Sequence, residues 1–429
     1  MTLVQRDEIP DGWTSAPLKS VARLISGGTP DTDNESYWAN EDGENWVAIG
    51  DMSGTDFVVS TEKVITLQGR LSARLAVGQP GTVLFAMYAS VGAVSTLGVK
   101  ASWNQAILGI QPIRARSNSR YLAYSLIASR GQLPYLYRSN TQNNLNASQV
   151  GGLRILVPPL DEQRQIAEYL DRETGKIDEL IAKQEQLVAT LTERRESLVI
   201  QSITRGLDRV AITKPSGVAW WGDLPAHWEM PKIGFHFSVV LGKMLDGNRP
   251  EKPGDLVMPY IRAGNIQGTG LNLEDLNEMP FSPEEAADLD LRKGDLLVVE
   301  GGAVGVNQVL QDSLPGVSFQ KTINRVRALD ESSTIFLGYA LDVLRLRGVI
   351  DMLCNKSTIA HLTADKLSRI NFPYPPVTEQ HSIVAAVGLE TRKSDGLVVA
   401  AKKVVETLQE RRSALISAAV TGKIDVRGK

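Results

Sequence analysis

Four histidines, one cysteine and scattered carboxylates are the residues of this 429-residue chain that could run acid–base, nucleophilic or metal chemistry, and their spacing supports none of it. His227, His236, His361, His381 and Cys354 fall at no metal-ligand interval. Gly301-Gly302-Ala303-Val304-Gly305 lacks the following Lys-Ser/Thr that a phosphate loop needs. Asn371-Phe372-Pro373-Tyr374 superficially looks like an aminomethyltransferase Asn-Pro-Pro-Tyr, but its second position is Phe, and it reads as a strand end. What remains is a set of amide, hydroxyl and charged side chains beside aromatics or at the ends of β-type runs: Trp103-Asn104-Gln105, Phe319-Gln320-Lys321, Tyr88, Ser90, Glu300, Arg262 and Asn265. Thr29 and Lys243 lie in loops, and Asn140, Thr141, Lys356 and Thr358 precede a final strand. Such groups on loops can hydrogen-bond base edges and touch phosphates. Each also has a plainer reading. Trp103 and Phe319 could enter a core, Tyr88, Ser90 and Glu300 could pack a loop, and Arg114, Arg116 and Arg120 could form a solvated face rather than touch phosphates.

The elements that must position these residues come twice. Pro158-Pro159-Leu160-Asp161-Glu162-Gln163 is matched by Pro375-Pro376-Val377-Thr378-Glu379-Gln380, and the register runs without a gap to Asp208 and Asp425, with 19 of 51 pairs identical. Upstream, Ile9–Trp13 pairs with Leu224–Trp228, Val47–Met52 with Ile261–Ile266, Val77–Leu84 with Leu291–Leu297, Tyr121–Tyr124 with Phe336–Tyr339, and Leu145 with Leu362. Trp103-Asn104-Gln105 aligns with Phe319-Gln320-Lys321. The chain is therefore one unit of about 215 residues used twice, with its last third held more constant than the rest.

The constant third reads as a long helix. Ile166, Leu180 and Leu187 share one heptad position, and Leu170, Ile177, Leu191 and Leu198 the other. Ile383, Leu397 and Val404, with Val387, Leu408 and Leu415, repeat the pattern, which predicts a coiled-coil seam. Asp161 and Thr378 are the expected N-caps. Glu193, Arg194, Arg195 and their matches Glu410, Arg411 and Arg412 are expected to make inter-helix or subunit pairs rather than nucleic-acid contacts. The variable parts hold short β runs (47–50, 63–67, 82–88, 91–97, 107–113), followed by helical segments near 119–130 and 333–347. The fold class is α+β with curled, mostly antiparallel sheets. The divisions expected are 1–157, 158–205, 206–374 and 375–429: domain, helix, domain, helix.

Net charge is −3, which counts against a lone phosphate-binding domain unless basic residues cluster or partners supply phosphate contacts. The N-terminus carries acidic residues where a signal peptide has an apolar core. No apolar run approaches the roughly 20 residues of a membrane span. A cytoplasmic chain with no membrane association is expected.

Taken together, the Pro-x-x-Trp start, the Gly27-Gly28-Thr29-Pro30 loop, the Ile49-Gly50-Asp51 strand end, an x-x-G-x-x-L-F strand, and the PPL-x-EQ signature followed by a long helix ending in Glu-Arg-Arg resemble the type I restriction-modification specificity subunits, over essentially the whole chain. Ser216–Trp228 resembles that family's entry into its second recognition domain. The resemblance implies two target recognition domains, each reading half of a split asymmetric DNA sequence, joined by two antiparallel spacer helices in pseudo-twofold relation. It implies double-stranded DNA, two methylation subunits and restriction/motor subunits as partners. No cofactor would sit on this chain, with S-adenosylmethionine, ATP and Mg2+ on the partners. The second copy departs from the pattern where Leu241-Gly242-Lys243-Met244 replaces the Gly-Gly-Thr-Pro loop. Two rival readings are a single-chain DNA methyltransferase with its own reader, which would need a cofactor loop and a proper Asn-Pro-Pro motif, and a coiled-coil scaffold that reads no sequence.

Overall fold

The structure is a computed structural model that describes residues 9–40, 42–136, 144–244, 253–267, 270–354 and 361–426. It divides into two compact units, 1–186 with 401–429, and 187–400.

In the first unit the chain runs β1 (Thr14–Pro17), β2 (Ala22–Ser26), β3 (Trp38–Ala39), β4 (Glu44–Val47), β5 (Phe57–Val58), β6 (Lys63–Ile65), α1 (Leu67–Ser72), β7 (Val83–Ala86), β8 (Val94–Leu97), β9 (Ala101–Trp103) and β10 (Ile107–Pro112). It continues through α2 (Ser119–Ala128), α3 (Ala147–Gly152) and β11 (Arg154–Val157) into α4 (Leu160–Arg205). A five-stranded sheet has the order β2-β10-β7-β8-β5, and a four-stranded sheet the order β3-β6-β4-β9. Pairing is antiparallel except for β4 with β9 and β5 with β8. Strands β7 and β8 are buried along their whole length, so their sequences are apolar or small throughout rather than alternating.

The second unit runs β12 (Thr213–Pro215), β13 (Asp223–Pro225), α5 (Ile233–His236), β14 (Phe237–Leu241), β15 (Leu256–Ile261), β16 (Ile266–Gln267), β17 (Gly270–Leu271), β18 (Asn277–Phe281), α6 (Pro283–Asp288), β19 (Leu296–Val299), β20 (Asn307–Val309), β21 (Ser318–Phe319) and β22 (Ile323–Ala328). Helices α7 (Thr334–Leu346), α8 (Val349–Leu353), α9 (Ala364–Ser368) and α10 (Val377–Val420) follow. The main sheet is β14-β22-β19-β20, the counterpart of β2-β10-β7-β8, and β15 pairs parallel to β21 as β4 does to β9. Both units are thus the mixed, mainly antiparallel α+β architecture that the sequence predicts.

One core exchange shows how two divergent sequences keep one frame. In the first unit the Trp103 ring lies over Gly109, where a Cβ would come within 2.0 Å of the indole. At the equivalent places of the second unit stand Phe319 and Arg325, the guanidinium 5.7 Å from the ring centroid. A larger ring with no facing side chain, and a smaller ring with a long one, fill the same layer.

The PP-x-x-EQ signature is a clamp. Gln163 is fully buried; its Oε1 accepts from the Asn118 backbone N–H at 2.9 Å, and its Nε2 donates to Pro158 O and Arg116 O at 2.9 and 3.0 Å. Gln380 is likewise fully buried, accepting from Ser333 N–H at 2.9 Å and donating to Pro375 O at 2.9 Å. Asn118 and Ser333 are the side-chain caps of α2 and α7. A single amide therefore joins the start of the domain helix to the start of the long helix, using donors and acceptors that helix ends leave unsatisfied. The long helices begin at Leu160 and Val377, so Asp161 and Thr378 lie in their first turns rather than at the caps, where the prolines stand.

The long helices pair antiparallel within each unit. In the first, Ile166 and Leu170 share a cluster with Ile416, Ala419 and Val420. Further along, Arg412 Nε and Nη2 donate to both Asp178 carboxylate oxygens at 2.8 and 3.1 Å. In the second, Val199 and Ile203 share a cluster with Ile383 and Val387, and Arg195 pairs with Asp395 at 3.3 Å. The predicted seam needs correcting, however. Leu180, Leu187, Leu397 and Val404 are 47%, 43%, 56% and 43% exposed. The buried ends of the stripe face the domains as much as the partner helix, since Ile166 and Leu170 also pack with Trp13, Tyr121 and Tyr124. Apolar spacing reports a stripe suited to burial without saying what covers it.

Candidate nucleic-acid interface

The ends of the central strands form the same backbone scaffold in both units. In the first, Gly28 N donates to Trp103 O, Asn104 N to Val47 O, Met87 N to Ala106 O, and Leu145 N to Met87 O. In the second, Lys243 N donates to Phe319 O, Gln320 N to Ile261 O, Glu300 N to Thr322 O, and Leu362 N to Glu300 O. The turn after β4 is closed by Asp51, whose carboxylate accepts from Ala48 N at 2.7 Å; Asn265 closes the turn after β15 by accepting from Arg262 N at 3.0 Å.

The turns after β7 and β19 are equally matched. Gly92 N donates to Ala86 O and Ala93 N to Ser90 O, as Gly305 N does to Val299 O and Val306 N to Ala303 O. Ala89 sits at φ 57° and Gly302 at φ 86°, with Gly92 and Gly305 at 83° and 78°. The left-handed position is thus filled by glycine in one copy and by a strained alanine in the other. On this common turn the first unit exposes Tyr88 and Ser90, whereas the second carries only Gly301, Gly302 and Ala303.

The sequence candidates fare differently on this scaffold. Tyr88, Ser90, Gln105 and Lys321 are exposed, and Thr29, Asn104, Arg262, Glu300 and Gln320 are half-buried. Thr29 donates its hydroxyl to Gln105 Oε1, Asn104 Oδ1 accepts from Ala106 N at 2.6 Å, and Arg262 pairs with Asp275 at 2.8 Å. Three candidates are corrected. Trp103 is 1% exposed, its indole N–H bound to Ile25 O, and belongs to the core. Asn265 is 2% exposed and spends its amide on Asn272 O, Asp275 O and Arg262 N. Lys243 points inward, with Nζ bound to Pro280 O and Glu285 and lying 4.9 Å from the Phe281 ring centroid. Asn140, Thr141, Lys356 and Thr358 lie outside the described residues.

Arg120 is not a solvated cation. It pairs with Asp171 at 2.6 Å and Asp56 at 3.1 Å, and it lies over Phe57 and Tyr124. Burial opposes its charge, but Asp171 and Tyr124 raise its pKa overall, and burial pushes the Tyr124 hydroxyl up to about 12. Of the Glu-Arg-Arg residues, Arg195 and Arg412 make the inter-helix pairs, while Glu193, Arg194, Glu410 and Arg411 are exposed.

His361 was missed among the strand-end residues. It bridges to Gly301, where a Cβ would lie 3.1 Å from its Nδ1, so the glycine is the sequence signal that something packs there. Burial raises the Glu300 pKa beside it, against the lowering influence of His361 and Lys321. Among the described residues no cluster of three or more His, Cys, Asp or Glu could hold a metal, and no helix is long and apolar enough to cross a membrane.

Fold and site define a duplicated α+β protein in which one scaffold presents two different sets of loop side chains beside paired long helices. The chain belongs to the type I restriction modification DNA specificity domain family, whose profile matches residues 10–189 and 225–387. It is 20% identical to the type I restriction enzyme MjaVIII specificity subunit of Methanocaldococcus jannaschii, over 98% of this chain and 94% of that one. A chain solved in connection with complex assembly and conformational transition of the type I R-M system shares the fold, with TM-score 0.74, 18% identity and coverage of 97% and 99%. The HsdS subunit from Thermoanaerobacter tengcongensis aligns with TM-score 0.51 at 18% identity, covering 97% of this chain and 98% of that one.

Proposed function

We propose that this chain is the non-catalytic DNA-reading subunit of a type I restriction-modification complex, each domain reading one half of a bipartite asymmetric target. The observation that carries this is the strand-end scaffold, alike in both units down to its backbone bonds yet dressed with different side chains. A common scaffold with divergent loops suits one docking mode applied to two base sequences. The long helices set the number of unread base pairs between half-sites and dock two methylation subunits, with Glu193, Arg194, Glu410 and Arg411 as exposed polar contacts. S-adenosylmethionine is held by those subunits, and ATP and Mg2+ by restriction/motor subunits, acting in the cytoplasm. Tyr88, Ser90 and Gln105 are the first domain's reading residues, and Arg262, Glu300, Gln320 and Lys321 the second's. Methylome sequencing of a methylation-free host expressing this chain with its modification subunit tests the reading. A split motif with two unlike half-sites is the expected result; a continuous motif, or no motif, refutes it.

A further inference from the structure

The turn after β19 carries no side chain beyond Cβ for three residues, Gly301 to Ala303, so anything the second domain presents there comes from the strands on either side. Three ionisable groups do so. Glu300 directly follows β19, fixed through its own backbone to Thr322 O and Leu362 N. Lys321 follows β21 and is exposed. His361 is exposed and lies against Gly301. Lys321 and His361 bear on Glu300, opposing the burial that raises its pKa, yet among the described residues none of the three side chains has a hydrogen-bond or ion-pair partner. That sets them apart from the other charges of this unit's sheet, where Asp290, Asp295, Arg325 and Arg327 are locked in one network. Neither carboxylate oxygen of Glu300 is sealed from solvent, so both keep acceptor capacity that an incoming donor can use.

We infer that Glu300 is a specificity-determining residue of the second domain, accepting a hydrogen bond from the exocyclic amino group of an adenine or a cytosine, with Lys321 and His361 holding it in place against the polyanion. The inference rests on the DNA-reading role proposed above. A carboxylate approaching DNA meets phosphate repulsion, and the donors available to it in the major groove are adenine N6 and cytosine N4. Guanine and thymine offer only acceptors at those edge positions, so they would face the carboxylate lone pair to lone pair. Lys321, the cation beside Glu300, offsets the repulsion without consuming its oxygens. The first domain has Met87 at this place of the scaffold, so its half-site is read without this contact.

The test is methylome sequencing of the wild-type chain, E300A and E300Q, each co-expressed with the modification subunit. In E300A one position of one half-site should become degenerate, with discrimination falling about tenfold or more, and the other half-site should be unchanged. E300Q keeps the size and one acceptor but adds a donor, so the same position should alter or relax. A wild-type motif in both half-sites of either active variant overturns the assignment and leaves the DNA-reading role standing. If E300A is inactive, E300Q decides. Loss of all methylation in E300Q as well makes Glu300 structural and overturns the assignment too. A wild type without a split motif removes the parent reading and this one with it.

Discussion

Replacing Gln163 by Leu should loosen the first unit at one defined place. The substitution keeps the side-chain volume and removes every polar atom. It strands the Asn118 N–H and takes the donor from Pro158 O and Arg116 O. An unsatisfied buried group costs about 1–3 kcal/mol, and a carbonyl less than an amide N–H because it retains a second lone pair, so the sum is roughly 3–5 kcal/mol. Gln380→Leu strands one N–H and one carbonyl, which gives roughly 2–4 kcal/mol on the same scale. Two units need not melt together, so a global melt is the wrong probe. Amide exchange on peptides covering 114–122 and 158–166 reads the first clamp; peptides 329–337 and 375–383 read the second. At about 1.4 kcal/mol per factor of ten, exchange in the first pair should quicken by roughly a hundredfold to a thousandfold in Q163L. A change under tenfold, or a larger local effect from Q380L in its own unit, would show that the amide is not the joint between the two helix starts.

The two inter-helix arginines should differ in weight. Arg412 makes two contacts to Asp178 and lies 3.5 Å from Asp56, while Arg195 makes one contact of 3.3 Å between more exposed groups. R412A should destabilise its unit by about 1–3 kcal/mol and R195A by under about 1 kcal/mol in denaturant titrations; equal losses contradict the geometry. Asp342 offers a pH test. Burial holds its pKa above the ordinary value, against Arg345, Arg195 and its bond to Asn307. The folded state therefore binds this proton more tightly than the unfolded state, and stability is lost as pH rises through the raised value. D342N keeps an acceptor for Asn307 and loses the charge. It should melt higher than wild type at neutral pH, with the gap closing toward the ordinary aspartate value of 3.8; a gap that widens on acidification would refute the assignment.

The duplication, the α+β class and the long helices were legible because each leaves a trace over many residues. A repeat survives divergence when its register is intact, and a stripe of apolar positions survives any one polar interruption. The seam was misjudged at Leu180, Leu187, Leu397 and Val404 for a related reason. A heptad records which face is apolar, not whether a domain, a helix or solvent lies against it. Individual site residues were harder. Trp103 and Gln105 are two apart beside one strand end, and a strand end does not announce which of its residues turns inward.

The correction of Asn265 has a cause that a single sequence does contain once it is aligned with itself, whereas Lys243 stands opposite Gly28 and is spent inside the fold all the same. Asn265 faces Asp51 in the alignment, and both are small side chains that can accept from a backbone N–H three residues back. Gln163 and Gln380 agree for the same reason, as do Gly92 and Gly305. Agreement between copies marks groups that satisfy the chain itself, and a group whose hydrogen bonds are spent on its own backbone has nothing left for a ligand. Positions on the same scaffold whose chemistry changes between copies and whose side chains stay outside the core, such as Gln105 against Lys321, are free of that duty, whereas Met87, opposite Glu300, is a core residue. If the two units read unlike half-sites, selection for different bases can act only at places where the scaffold does not need the side chain. The mismatches of the internal repeat are therefore the better guide to the reading residues, and its matches the guide to the frame.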